Sequence, residues 1–139
     1  MIKDRLYSEI FEEFEQAETK ADRIQVLKKY RHPRFVEFLE YAFNPNILFD
    51  TPIPENWRPA TEPSGLNISY LEMEMPKLYR FIKGHPHRPD NLTPQKQEKL
   101  LKTILEALHP NESKLLIKCM KKDLGVKFLT IKLIQEAYN

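Results

Sequence analysis

Between positions 114 and 132 the chain carries six lysines, Lys114, Lys118, Lys121, Lys122, Lys127 and Lys132, against one acid, Asp123. Four of them, Lys114, Lys118, Lys121 and Lys122, recur at i, i+4, i+7 and i+8, the spacing of a single helix face. Leu115, Leu116, Cys119 and Met120 fall opposite. A row of ammonium groups on a helix is suited to neutralising phosphates of one strand without reading bases. Gly125 reads as the stop of that helix and Lys127 as the start of the next, where free backbone N–H groups and the helix dipole favour an anion. The competing reading is a solvated helix with a basic last turn.

Other residues capable of chemistry are less organised. No nucleophile stands beside a base, and the three glycines, Gly65, Gly84 and Gly125, are isolated, so there is no phosphate-cradling loop. No catalytic residue and no cofactor is expected. His85-Pro86-His87 offers two metal ligands, but zinc needs three or four. His32, His109 and Cys119 are distant in sequence, so a tight turn is expected and no metal. Glu12, Glu13, Glu15 and Glu18 border an apolar stripe and read as a solvated face. Cys119 falls on a buried face, as a small hydrophobe. Phe35, Phe38, Phe43 and Phe49 occupy core spacing; Trp57 beside Arg58 is the exception and could stack on a base.

The 139-residue chain is read as one domain, 1–139, long enough to bury a core without disulfides. Its net charge of +2 announces no nucleic-acid binder, but the distribution is uneven. Residues 1–70 hold 9 basic and 12 acidic groups and residues 71–139 hold 13 and 8, which hints at a basic C-terminal face. The single cysteine permits no intrachain disulfide. Lys3, Asp4 and Arg5 stand where a secretory signal would be apolar, and no apolar run approaches the ~18 residues of a membrane span. A cytoplasmic protein, with no membrane partner, is expected.

The elements that must position these residues read as helices throughout. The first covers about 2–17, with Leu6, Ile10, Phe14 and Ala17 on a stripe that Ile2, Tyr7 and Phe11 widen. Thr19 caps a second that buries Ile24, Leu27 and Tyr30. Pro33 opens a third, which runs to about Phe43 and is apolar nearly all round, hence central. Residues 44–66 hold five prolines together with Ile47, Leu48, Phe49, Ile53 and Trp57. Prolines forbid a regular helix and the apolar groups argue against disorder, so the segment reads as an ordered extended strap. Ser69 and Glu72 form a capping box for a fourth helix, which Pro76 kinks or splits and Gly84 ends. Thr93-Pro94 opens a fifth, with Leu100, Leu101, Ile104, Leu105 and Leu108 inward. His109-Pro110 starts a sixth and a seventh runs from Lys127 or Phe128 to Tyr138. The expected fold is all-α: a single irregular bundle of about seven helices with a Pro-rich strap.

Lys122-Asp123-Leu124, the Gly125-Val126 turn and Thr130-Ile131-Lys132-Leu133 together resemble the end of the N-terminal helical domain of ATP-dependent DNA ligases, especially those of tailed phages. That family's domain is all-helical and grips the duplex backbone largely through the minor groove. The resemblance implies that Lys121, Lys122, Gly125, Val126, Lys127 and Thr130 lie at a DNA contact. The chain lacks the nucleotidyltransferase K-x-D-G motif, so it implies no ligase activity. The stretch Phe43-Asn-Pro-Asn-Ile-Leu-Phe49 and His109-Pro110-Asn111 resemble small uncharacterised proteins of large tailed phages, which implies a bacterial host cytoplasm. The leading expectation is a non-enzymatic DNA-associated accessory protein that contacts duplex DNA without sequence specificity, through Lys114, Lys118, Lys121, Lys122, Gly125, Val126, Lys127, Thr130 and Lys132. The alternative is an interaction module that binds a host or phage protein through the strap, with Phe49, Ile53, Trp57 and Arg58 as anchors.

Overall fold

The computed structural model describes residues 5–63 and 66–139. The expected roles of Ile2, Lys3, Asp4 and Gly65 lie outside the described residues. Among those described, the chain is all-α. In order come α1 (Tyr7–Gln16), α2 (Lys20–Lys29), α3 (Pro33–Phe43), α4 (Leu71–Glu74) with a 3₁₀ helix (Met75–Phe81), α5 (Pro94–Ala107), α6 (Pro110–Met120) and α7 (Ile131–Tyr138). The described residues contain no strand, apart from one isolated antiparallel bridge between Phe49 and Ile82.

Particular contacts fix how α1 sits against α6 and α3. Glu112, in the first turn of α6, is 1% exposed. Its carboxylate accepts the backbone N–H groups of Tyr7 at 3.0 Å and Ser8 at 2.7 Å, the first donors of α1. Those donors have no partner within their own helix, so α6 supplies the cap that α1 lacks. Glu9 accepts the Leu6 N–H at 2.9 Å. Arg5 and Leu6 are not helical, and the first helix therefore begins at Tyr7 rather than near residue 2. The Tyr7 ring meets Phe35 and Phe38 edge-on at 5.1 and 5.3 Å, which sets α1 against α3. Such pairs add about 0.5–1.5 kcal/mol each beyond burial. Around them Phe14, Leu27, Leu101, Leu105, Leu108 and Leu116 are fully buried in one core.

Starts are set by caps. Thr19, Thr93 and Thr130 accept the N–H three residues on, opening α2, α5 and α7. Two histidines do the same for α3 and α6. Proline at the first helical position has no N–H, so Nδ1 of His32 and His109 accepts the next one, from Arg34 and Asn111, each at 3.1 Å. His85 repeats the bond to His87 at 3.1 Å in a turn. The expected Ser69–Glu72 capping box does not form. Tyr70 is the N-cap, and Ser69 instead donates its hydroxyl to buried Glu74 and its N–H to the Ala107 carbonyl at 3.0 Å, tying this turn to the end of α5. Pro76 can donate no bond, and the fourth helix splits there into one α turn and the 3₁₀ helix. The latter ends at Phe81, before Gly84, which occupies a turn at φ +75°.

The strap is ordered along its described length. Asp50 donates its N–H to Phe81 O at 3.2 Å, and Lys83 to Leu48 O at 2.7 Å. Arg88 pairs with Asp50 at 2.7 Å, and the Arg58 N–H reaches Glu106 at 2.7 Å. α3 is less central than its composition implied. Phe35, Phe38, Leu39 and Ala42 are buried, whereas Val36 and Phe43 line an open groove against Ile131 and Ile134 of α7.

Candidate nucleic-acid interface

The lysine row divides. Lys114, Lys118 and Lys121 are exposed, and no acid among the described residues lies within ion-pair distance of them. Leu115, Leu116, Cys119 and Met120 are buried behind them, so the helix is divided as its period implied.

Lys122 is not part of that surface, which corrects the sequence reading. α6 ends at Met120, not at Gly125. Lys122 takes the left-handed conformation, φ +63°, and donates its N–H to Cys119 O, while Asp123 donates to Lys118 O, each at 3.0 Å. This is the six-residue helix stop that glycine usually supplies. The side chain folds inward, and Nζ donates to the carbonyls of Tyr41 and, at 2.8 Å, Asn44. Both belong to the end of α3, where carbonyls lack helical partners and the dipole favours a cation. Desolvation lowers the pKa of this ammonium, opposed by Glu40 and the Cys119 thiol.

The link to α7 is also longer than expected. Gly125, at φ +67°, lies inside it and Val126 packs half-buried on the core. Lys127 does not open α7; Thr130 is the cap, and Ile131 the first helical residue. The Lys127 backbone N–H is held by Glu15 at 2.8 Å, which leaves its side chain exposed but its amide unavailable to an anion. Lys132 is exposed on the first turn of α7, facing α2 rather than prolonging the α6 row. Glu15 and Glu13 are more than solvated acids: Glu13 accepts from Tyr30 at 2.7 Å and pairs with Lys29 at 3.2 Å. The Tyr30 hydroxyl, then Lys29, lower the Glu13 pKa against burial.

The strap does not present its anchors freely. Phe49, Ile53 and Trp57 are half-buried and pack on the core, and Phe49 meets Tyr41 edge-on at 5.8 Å. Only Arg58 of the four is exposed. The most exposed large apolar groups described lie at and just beyond the end of the strap, at Leu66, Ile68 and Met73, which are 70%, 81% and 57% exposed; Leu48 within it is 49% exposed. Cys119 is fully buried, 3.9 Å from Phe38 O, and burial pushes its thiol up to about 12. Among the described residues no three of His, Cys, Asp and Glu group as metal ligands, and no helix is long and apolar enough to cross a membrane.

One assembly escaped the sequence reading. Arg23 of α2 lays its guanidinium 3.7 Å from the centre of the Phe128 ring, in a pocket of about 280 Å³ that also includes Lys20, Thr130, Lys132 and Glu136. These residues are more than a hundred positions apart in the chain, and no local pattern joins them.

A model of a family of unknown function, DUF6433, matches residues 10–126, which takes in all of α6 and stops before α7. No curated protein and no solved structure matches. The match spans most of the chain, and the protein belongs to this family of unknown function.

Proposed function

We propose that the protein is a non-enzymatic, DNA-associated accessory protein that contacts the phosphate backbone of duplex DNA, without sequence specificity, through the exposed face of α6. The observation that carries the reading is the row Lys114, Lys118 and Lys121, solvent-facing and unpaired with any described acid. Seven residues of helix separate its ends by about 10 Å, roughly three 3.4 Å steps of one strand. Lys118 and Lys121 also sit where a helix C-terminus favours cations. Lys114, in the first half of α6, gains nothing from the dipole, so dipole compensation does not account for the row. The exposed Lys127 side chain lies nearby in sequence, while Gly125, Val126 and Thr130 shape the connection that the ligase-domain resemblance places at DNA. The phage resemblance puts this activity in a bacterial host's cytoplasm.

The test is fluorescence anisotropy with a short duplex. The triple change Lys114→Glu, Lys118→Glu, Lys121→Glu leaves Lys122 in place and should abolish binding with an unchanged helical spectrum. Undiminished affinity in that variant rules out the α6 surface.

A second reading has its own observation. Leu66, Ile68 and Met73 expose apolar surface beside the strap, which supports a protein partner of host or phage origin. In this reading Ile68→Asp would abolish capture of a partner while leaving DNA binding intact; unchanged capture would count against it.

A further inference from the structure

We propose that the pocket between α2 and the start of α7 is a site for a terminal phosphate group, as on a phosphate monoester. The reading is independent of the α6 row. The pocket, of about 280 Å³, has three cations, Lys20, Arg23 and Lys132, and one carboxylate, Glu136. Lys20 and Glu136 pair with each other at 3.1 Å. Arg23 and Lys132 are left with no described acid within ion-pair distance, and two unopposed cations match the charge of about −1.5 to −2 on a terminal phosphate at neutral pH. An internal diester carries only one charge.

Arg23 is held ready. Its guanidinium lies 3.7 Å from the Phe128 ring centre, and a ring face orients a planar cation while leaving its in-plane donors free. Its Nε is shielded from water and has no hydrogen-bond partner. A buried donor without an acceptor costs free energy; the Nε is closed to solvent, so a pocket anion is left to the terminal NH₂ groups of the guanidinium. Phe128 is 54% exposed and adopts φ +70°, an unfavourable conformation for a bulky residue. Strain of that kind persists where the surroundings impose it. At the same edge, the Thr130 side chain accepts the Leu133 N–H, at 3.1 Å. The chemistry therefore selects a dianionic oxygen cluster for the guanidinium fork and the Lys132 ammonium.

The same group occurs on a free nucleotide and on the 5′ end of a strand. The full chain would be titrated calorimetrically with adenosine monophosphate, with adenosine, and with a trinucleotide bearing a 5′-phosphate or a 5′-hydroxyl. The monophosphate should bind with a Kd on the order of 1 mM or tighter, adenosine should not, and the Arg23 Nε–H resonance should shift. Tighter binding of the phosphorylated trinucleotide than of the monophosphate identifies a strand end, and equal binding a free nucleotide; both support the site. Lys132→Gln, at an exposed unpaired position, should weaken binding about 10-fold, as should Arg23→Gln, whereas the α6 triple variant should keep it. Equal binding of adenosine, no shift of the Arg23 resonance, or full affinity in Lys132→Gln overturns the proposal and leaves the α6 reading untouched.

Discussion

Replacing Glu112 by alanine should be among the most damaging single changes in the chain. It removes both acceptors of the α1 first turn, the oxygens at 3.0 and 2.7 Å from the Tyr7 and Ser8 nitrogens. The Tyr7 N–H then stays buried without a partner, at about 1–3 kcal/mol, and the half-buried Ser8 N–H adds up to about 1 kcal/mol. Relief of a desolvated carboxylate offsets part of this, and a net loss of about 2 kcal/mol is expected, a large share of the roughly 5–15 kcal/mol that holds a domain folded. Glutamine keeps one acceptor but turns an NH₂ toward the second donor, so Glu112→Gln should lose about half as much. Burial raises the Glu112 pKa, opposed by the bonds from Ser8 and Tyr7. A raised carboxyl stabilises the fold fully below its unfolded value of about 4.3 and progressively less as pH rises through the folded value. The advantage of wild type over Glu112→Gln should therefore narrow from pH 4 to pH 7. Urea unfolding followed by circular dichroism measures both effects. A loss below about 1 kcal/mol in the alanine variant, or an advantage that widens with pH, refutes the reasoning.

Three further outcomes follow from the same geometry. Lys122→Ala loses the Nζ bonds to the α3 carbonyls and keeps the left-handed backbone, for a cost of about 2 kcal/mol; Lys122→Gly loses the same bonds but relieves about 1 kcal/mol of strain, so in urea unfolding it should be the milder change. Cys119, with its thiol pushed up to about 12, should resist a thiol reagent at pH 8 in native protein and react on unfolding; rapid native labelling would contradict its burial. Trp57, half-buried against the core, should emit to the blue of free tryptophan and resist acrylamide, and a fully red-shifted, freely quenched emission would return the strap to the list of open binding surfaces.

Helix existence was legible because proline, threonine and histidine caps act on neighbours one to three residues away, as at Thr19, Pro33, Thr93 and His109. The strap was legible because Ile53 and Trp57 between prolines must pack somewhere. What escaped depends on groups distant in sequence. Glycine is the usual left-handed helix stop, so Gly125 drew the boundary, yet Lys122 takes that role because the end of α3 offers its ammonium two carbonyls. Ser69 had an ideal partner three residues on, but buried Glu74 competed for its hydroxyl. Three of the four lysines in the α6 row, Lys114, Lys118 and Lys121, followed from helical period alone. That Lys122 turns inward, and that Lys132 faces Arg23 and Phe128, was fixed by tertiary packing.

Phosphate contact by α6 is tested most directly by how duplex binding responds to salt. With three phosphates neutralised by Lys114, Lys118 and Lys121, a plot of log affinity against log salt should fall with a slope of about −2.7, a loss of about 40-fold between 50 and 200 mM. The α6 triple variant should flatten that line or bind too weakly to give one. A steep slope retained in the variant, or no duplex binding by the wild-type chain even at low salt, would contradict the assignment of α6 as a phosphate-contacting face.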